Sequence, residues 1–76
     1  MKTLLKANDS AHTFGWSAVA RKAVPANGAN QDYIYVSIYD ASGACLVVGE
    51  AKTIEDAREY MKHWSFNDSE IELCAS

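Results

Sequence analysis

Hydrophobic and polar positions alternate with a period of two along Tyr33-Ile34-Tyr35-Val36-Ser37-Ile38-Tyr39, the clearest pattern in the chain. That period predicts a strand with Ile34, Val36 and Ile38 on one face and Tyr33, Tyr35, Ser37 and Tyr39 on the other. The aliphatic face is the one expected to look at the core. Asp40-Ala41-Ser42-Gly43 then reads as a turn, with Gly43 supplying the positive φ that a short hairpin loop needs after a type I turn. A second apolar strand returns from Ala44 to about Ala51, with Leu46 and Val48 on one side and Cys45, Val47 and Gly49 on the other.

The period changes at Thr53. Ile54, Ala57, Met61 and Trp64 fall at i, i+3, i+7 and i+10, one apolar stripe of a helix over residues 53–64. Thr53 and Asp56 have the spacing of a capping box, with Asp in place of the usual Glu or Gln. Glu55 and Asp56 in the first turn and Lys62 and His63 in the last suit the helix dipole. Glu59 can pair with Lys62 or His63 on the wet side. Ser69-Glu70-Ile71-Glu72-Leu73-Cys74 returns to period two, a final strand with Ile71 and Leu73 inward.

Residues 10–24 support two readings. Phe14, Trp16, Ala18 and Ala20 share one face of a strand, whereas Trp16, Ala20 and Ala23 behind an Asp9 or Ser10 cap describe a helix. Gly15, Thr13 and the two large aromatics favour the strand. Pro25–Gln31 is then a long hairpin loop with Asn27-Gly28 as its turn. The strand reading gives β-β-β-α-β. The helix reading, with Lys2 to Lys6 as a first strand, gives a ferredoxin-like β-α-β-β-α-β. Either is an α+β fold, an antiparallel sheet of three to four strands packed on the 53–64 helix.

Seventy-six residues, 49% of them apolar, make a single folded domain with a thin core. The opening Met1-Lys2-Thr3-Leu4-Leu5-Lys6 imitates a signal peptide but lacks its apolar stretch, and the chain reads as cytosolic. Net charge is −3, and it is uneven. Seven acids (Glu50, Glu55, Asp56, Glu59, Asp68, Glu70, Glu72) fall after residue 49 against Lys52, Arg58 and Lys62. Direct nucleic-acid binding needs a basic face, and only Arg21-Lys22 hints at one, so the expected partner is a protein or a nucleoprotein complex.

Catalytic chemistry finds little purchase. His12, His63, Cys45 and Cys74 are the candidate nucleophiles and bases, and none shares metal-ligand or triad spacing with another. The four glycines form no phosphate-cradling loop. No cofactor, metal or enzymatic activity is expected. The tyrosine face is the better lead, because Tyr buries large area at low entropic cost and keeps a polar tip. Tyr33, Tyr35 and Tyr39 are therefore the candidate apolar anchors of a protein-binding surface, and Glu55, Asp56, Glu59, Glu70 and Glu72 its charged complement. Self-association through a sheet edge, giving a homodimer, is a further expectation.

Gly49-Glu50-Ala51-Lys52-Thr53-Ile54-Glu55-Asp56-Ala57 resembles the strand-to-helix passage of HicB-type antitoxin domains, which implies a regulatory partner-binding domain. In size, acidity and layout the chain is also similar to the anti-CRISPR proteins, small inhibitors encoded by phages and mobile elements. That likeness implies a stoichiometric inhibitor that docks on a host CRISPR–Cas complex and blocks nucleic-acid binding or nuclease recruitment. It transfers no residue role.

Overall fold

In a computed structural model, which describes residues 2–22 and 33–74, five strands hydrogen-bond into one antiparallel sheet. They are β1 (Lys2–Ala7), β2 (Ser17–Lys22), β3 (Ile34–Tyr39), β4 (Cys45–Ala51) and β5 (Ile71–Leu73), in the spatial order β4-β3-β2-β1-β5. One helix, α1 (Ile54–His63), packs across β1, β3 and β4, and short 3-10 turns at Asp9–Ala11 and Asp68–Glu70 close one end. The predicted Pro25–Gln31 loop lies outside the described residues.

The α+β architecture is the predicted one, with one strand more than the upper expectation. The order β-β-β-β-α-β takes an element from each sequence reading, the Lys2–Ala7 strand from one and the Ser17–Lys22 strand from the other. Gly15 explains why the alternation from Phe14 misled. Its φ of 75° turns the chain, and its N–H donates to the His12 carbonyl, so the strand begins only at Ser17. Ala18 and Ala20 are then buried, Trp16 packs at the margin of the core, and Phe14 is left 70% exposed.

Ile34, Val36 and Ile38 point at the helix as predicted, and Leu5, Ile38, Met61 and Val36 are the largest fully buried side chains. In α1 the stripe is narrower than expected. Ala57 and Met61 are completely buried, Trp64 packs partly, and Ile54 is exposed. Tyr60 replaces Ile54 as the helix's fourth contact with the core. The Thr53 hydroxyl accepts the Asp56 N–H at 3.0 Å, one arm of the capping box. At the other end the Ser65 N–H donates to the Lys62 carbonyl and the Phe66 N–H to the Met61 carbonyl. This is a Schellman motif, with Ser65 rather than Gly in the left-handed conformation at φ 70°.

The last strand is shorter than predicted, because Asp68–Glu70 coil into a 3-10 turn under the Asn67 side chain, which accepts the Ser69 N–H. Ile71 is buried, but Leu73, expected inward, is 64% exposed at the sheet edge.

In β4 a register shift between Ile38 and Tyr39 inserts one extra residue. Beyond it Val47 faces Ile38, Gly49 faces Val36 and Ala51 faces Ile34, so the smaller residues of β4 turn to the helix. Gly49 is needed there. A Cβ on it would stand 2.6 Å from the Tyr60 hydroxyl oxygen and closer still to the ring. The larger Leu46 and Val48 are consequently exposed.

Candidate functional site

Residues directly opposite one another in an antiparallel sheet share a face, so the register gives the composition of the face turned away from α1. One row runs Thr3, Arg21, Tyr35, Glu50, and the next runs Glu72, Lys6, Val19, Ser37, Val48. A third row holds Ser17, Tyr39 and Cys45. Among the described residues no helix covers this surface. Tyr35, Ser37, Tyr39 and Val19 are half-buried there and Val48 is 56% exposed. Charge borders this patch on two sides. Arg21 and Glu50 flank Tyr35 on its two neighbouring strands, and Lys6 and Glu72 form a loose ion pair of 3.9 Å between exposed side chains at the far side.

The structure divides the sequence-derived candidates. Tyr35 and Tyr39 stand together on the open face. Tyr33 lies just before β3 and lines a cleft of about 370 Å³ at the β4–α1 corner with Glu50, Ala51, Lys52 and Asp56. Glu55 and Glu59 are exposed on α1, in the other layer, where Glu59 pairs with Lys62 at 3.2 Å and not with His63. Glu70 accepts a long hydrogen bond of 3.4 Å from the Ser10 hydroxyl at the 3-10 end. Glu72 alone of the acids in the expected complement lies on the face of Tyr35 and Tyr39.

Sequence reasoning missed Glu50, Arg21, Val19 and Val48 as members of this surface. The alternation of β4 was legible, but its direction was not. Counted straight back from a Tyr39–Cys45 pair, Val48 would enter the core. The inserted residue flips the rest of the strand.

A second feature that the sequence left unassigned is an aromatic cluster at the end of the sheet. The His12 ring stacks on Trp16 at 4.6 Å and 17° and packs against Phe66 at 4.7 Å, while Trp16 also meets Phe14 and Trp64. His12 is buried. Its Nδ1 takes the Phe14 N–H at 3.1 Å, so that nitrogen is an acceptor and the ring hydrogen sits on Nε2. Nε2 in turn lies 2.9 Å from the Trp64 carbonyl oxygen, to which it donates. Both ring nitrogens are thereby committed to the backbone, tying the first 3-10 turn to the end of α1. His12 is a structural bracket.

A shallow concavity of about 480 Å³ is lined by Asn8, Asp9, Ser10, Gly15, Ser17, Asp40, Ala41 and Gly43. Asp40 belongs to the hairpin. One of its carboxylate oxygens accepts the Ser42 hydroxyl at 2.6 Å, the Ser42 N–H at 2.9 Å and the Ala44 N–H at 3.0 Å. These bonds, the Ser42 hydroxyl foremost, hold its carboxyl below the ordinary carboxylate range. Among the described residues no group of three His, Cys, Asp or Glu side chains is placed to hold a metal ion. No described helix is long and apolar enough to cross a membrane. Compared with protein-family models, with curated proteins and with solved structures, the chain matches none.

Proposed function

We propose that this chain is a non-enzymatic protein-binding module that acts as a stoichiometric inhibitor of a host nucleoprotein complex. Its specific form is the anti-CRISPR one, occupation of a Cas surface so that nucleic acid or nuclease cannot be recruited. The observation that carries the binding reading is the sheet face opposite α1, where Tyr35, Tyr39, Val19 and Val48 form an apolar middle between Arg21, Glu50, Lys6 and Glu72. Aromatic anchors at the centre and charge at the rim is the usual anatomy of a recognition surface. The acidic outer side of α1 and the net charge of −3 favour approach to a basic, nucleic-acid-binding partner through long-range attraction. Tight contact is left to the tyrosine face.

The test is a titration against purified CRISPR–Cas effector complexes, reading target-DNA binding. Target-DNA binding should fall linearly to an end point near one chain per complex. Inhibition should be unchanged by His63→Ala and by Cys74→Ser, since neither side chain takes part in the core. Catalytic turnover, or loss of activity in those folded variants, contradicts the proposal.

A further inference from the structure

The two edges of the sheet are treated differently. β5 is three residues long, and Arg58 reaches over to donate to the Ile71 carbonyl at 3.2 Å and to pair with Asp68 at 3.3 Å. Brevity and adjacent charge are the usual protections of an edge. β4, the other edge, is seven residues long, contains no Lys, Arg or Pro, and carries a single charge, Glu50. Two of the large hydrophobic side chains left exposed, Leu46 and Val48, stand on it. Among the described residues its outer side has no strand partner. The inserted residue, Leu46, lies toward the hairpin end, and Val47 to Ala51 run in regular register.

We infer that β4 is a self-association edge, on which a second copy of this chain adds its own β4 antiparallel about a two-fold axis at Val47. This goes beyond the inhibitor reading and does not depend on it. A two-fold places identical surfaces on each other, so the edge must complement itself. About Val47 it does. Leu46 stands opposite the partner's Val48 twice over and Val47 meets its own copy, and the inserted residue ends the regular pairing before Cys45. The two Glu50 side chains come to lie at opposite ends of the pairing, about 20 Å apart along the strands, more than twice the ~8 Å screening length at physiological ionic strength. An even register keeps corresponding faces together. The result is a ten-stranded sheet with both helices on one side and both tyrosine faces continuous on the other. Strand addition of this kind uses backbone hydrogen bonds for affinity and the exposed side chains for register.

Sedimentation velocity of the full chain over a range of concentrations, in reducing buffer, tests this. Wild type should sediment at twice the chain mass at high concentration. Val48→Lys and Leu46→Glu should each weaken association by about tenfold or more, with urea melts confirming that the variants fold. The double variant Leu46→Glu, Val48→Lys sets Glu against Lys across the axis and should regain the dimer. A wild-type chain that stays monomeric at all soluble concentrations overturns the inference, as does a dimer indifferent to both single variants. Folded single variants that dissociate without rescue in the double variant overturn the pairing about Val47.

Discussion

Val36 and Tyr35 are neighbours in β3 with opposite surroundings, and truncating each to Ala separates core from open face. Val36 is completely buried against α1 and lies opposite Gly49 and Ala20. Val36→Ala removes two methyl-sized groups, about 1.6 kcal/mol at ~0.8 kcal/mol for each buried carbon. Gly49 and Ala20 have no longer side chains to collapse into the space, so a cavity contribution raises the cost to about 2–3 kcal/mol. Tyr35 is half-buried on the uncovered face, and Tyr35→Ala loses strand preference and part of a cross-strand contact, about 1 kcal/mol or less. For a domain of this size each kcal/mol shifts Tm by about 4–8 °C. Val36→Ala should therefore melt roughly 8–24 °C below wild type and Tyr35→Ala within about 8 °C of it. Urea and thermal melts followed by far-UV circular dichroism measure both. The reverse order would refute the assignment of faces, and with it the surface on which the functional reading stands.

Three further outcomes are expected. Ser65→Gly should stabilise the chain by about 0.5–1 kcal/mol in urea melts, because Gly occupies the left-handed position that ends α1 without the strain of a Cβ. Gly49→Ala should destabilise by about 1–3 kcal/mol by pushing the Tyr60 ring off the sheet, and in a double-mutant cycle Tyr60→Ala should absorb most of that cost. Asp40 has a lowered carboxyl in the folded chain, so its contribution to stability is present above the ordinary carboxylate range and is lost as pH falls through its folded value. The stability gap between wild type and Asp40→Asn should accordingly be widest near neutral pH and close in acid; a gap that widens in acid would contradict the hydrogen bonds drawn at the hairpin tip.

Local pattern made the middle of the molecule readable. The strand of Ile34–Tyr39, the turn at Gly43 and the cap at Thr53 each depend on residues within a few positions, and their structure follows the sequence closely. What was hidden depends on single residues that shift a register or on contacts distant in sequence. One extra residue in β4 and one between Thr3 and Leu5 in β1 displace the pairing, and no periodicity announces them. His12 gained its role only when the end of α1, 52 positions away, came within reach of Nε2. The candidate surface was half legible for the same reason. Alternation grouped Tyr35 with Tyr39, but only the fold separates them from Glu55 and Glu59 and supplies Arg21, Glu50 and Val48 in their place.

The central claim is that the open sheet face, and not the acidic outer side of α1, makes the close contact with a partner. Binding kinetics on an immobilised Cas effector complex test it directly, comparing Tyr35→Ala with joint charge reversal at Glu55 and Glu59. Buried aromatic anchors govern dissociation, whereas peripheral charges govern association rate and its salt dependence. The account predicts faster dissociation for Tyr35→Ala, a loss of about 2 kcal/mol, and slower, less salt-sensitive association with unchanged dissociation for the charge-reversed chain. Dissociation accelerated by the helix variants and untouched by Tyr35→Ala would contradict it.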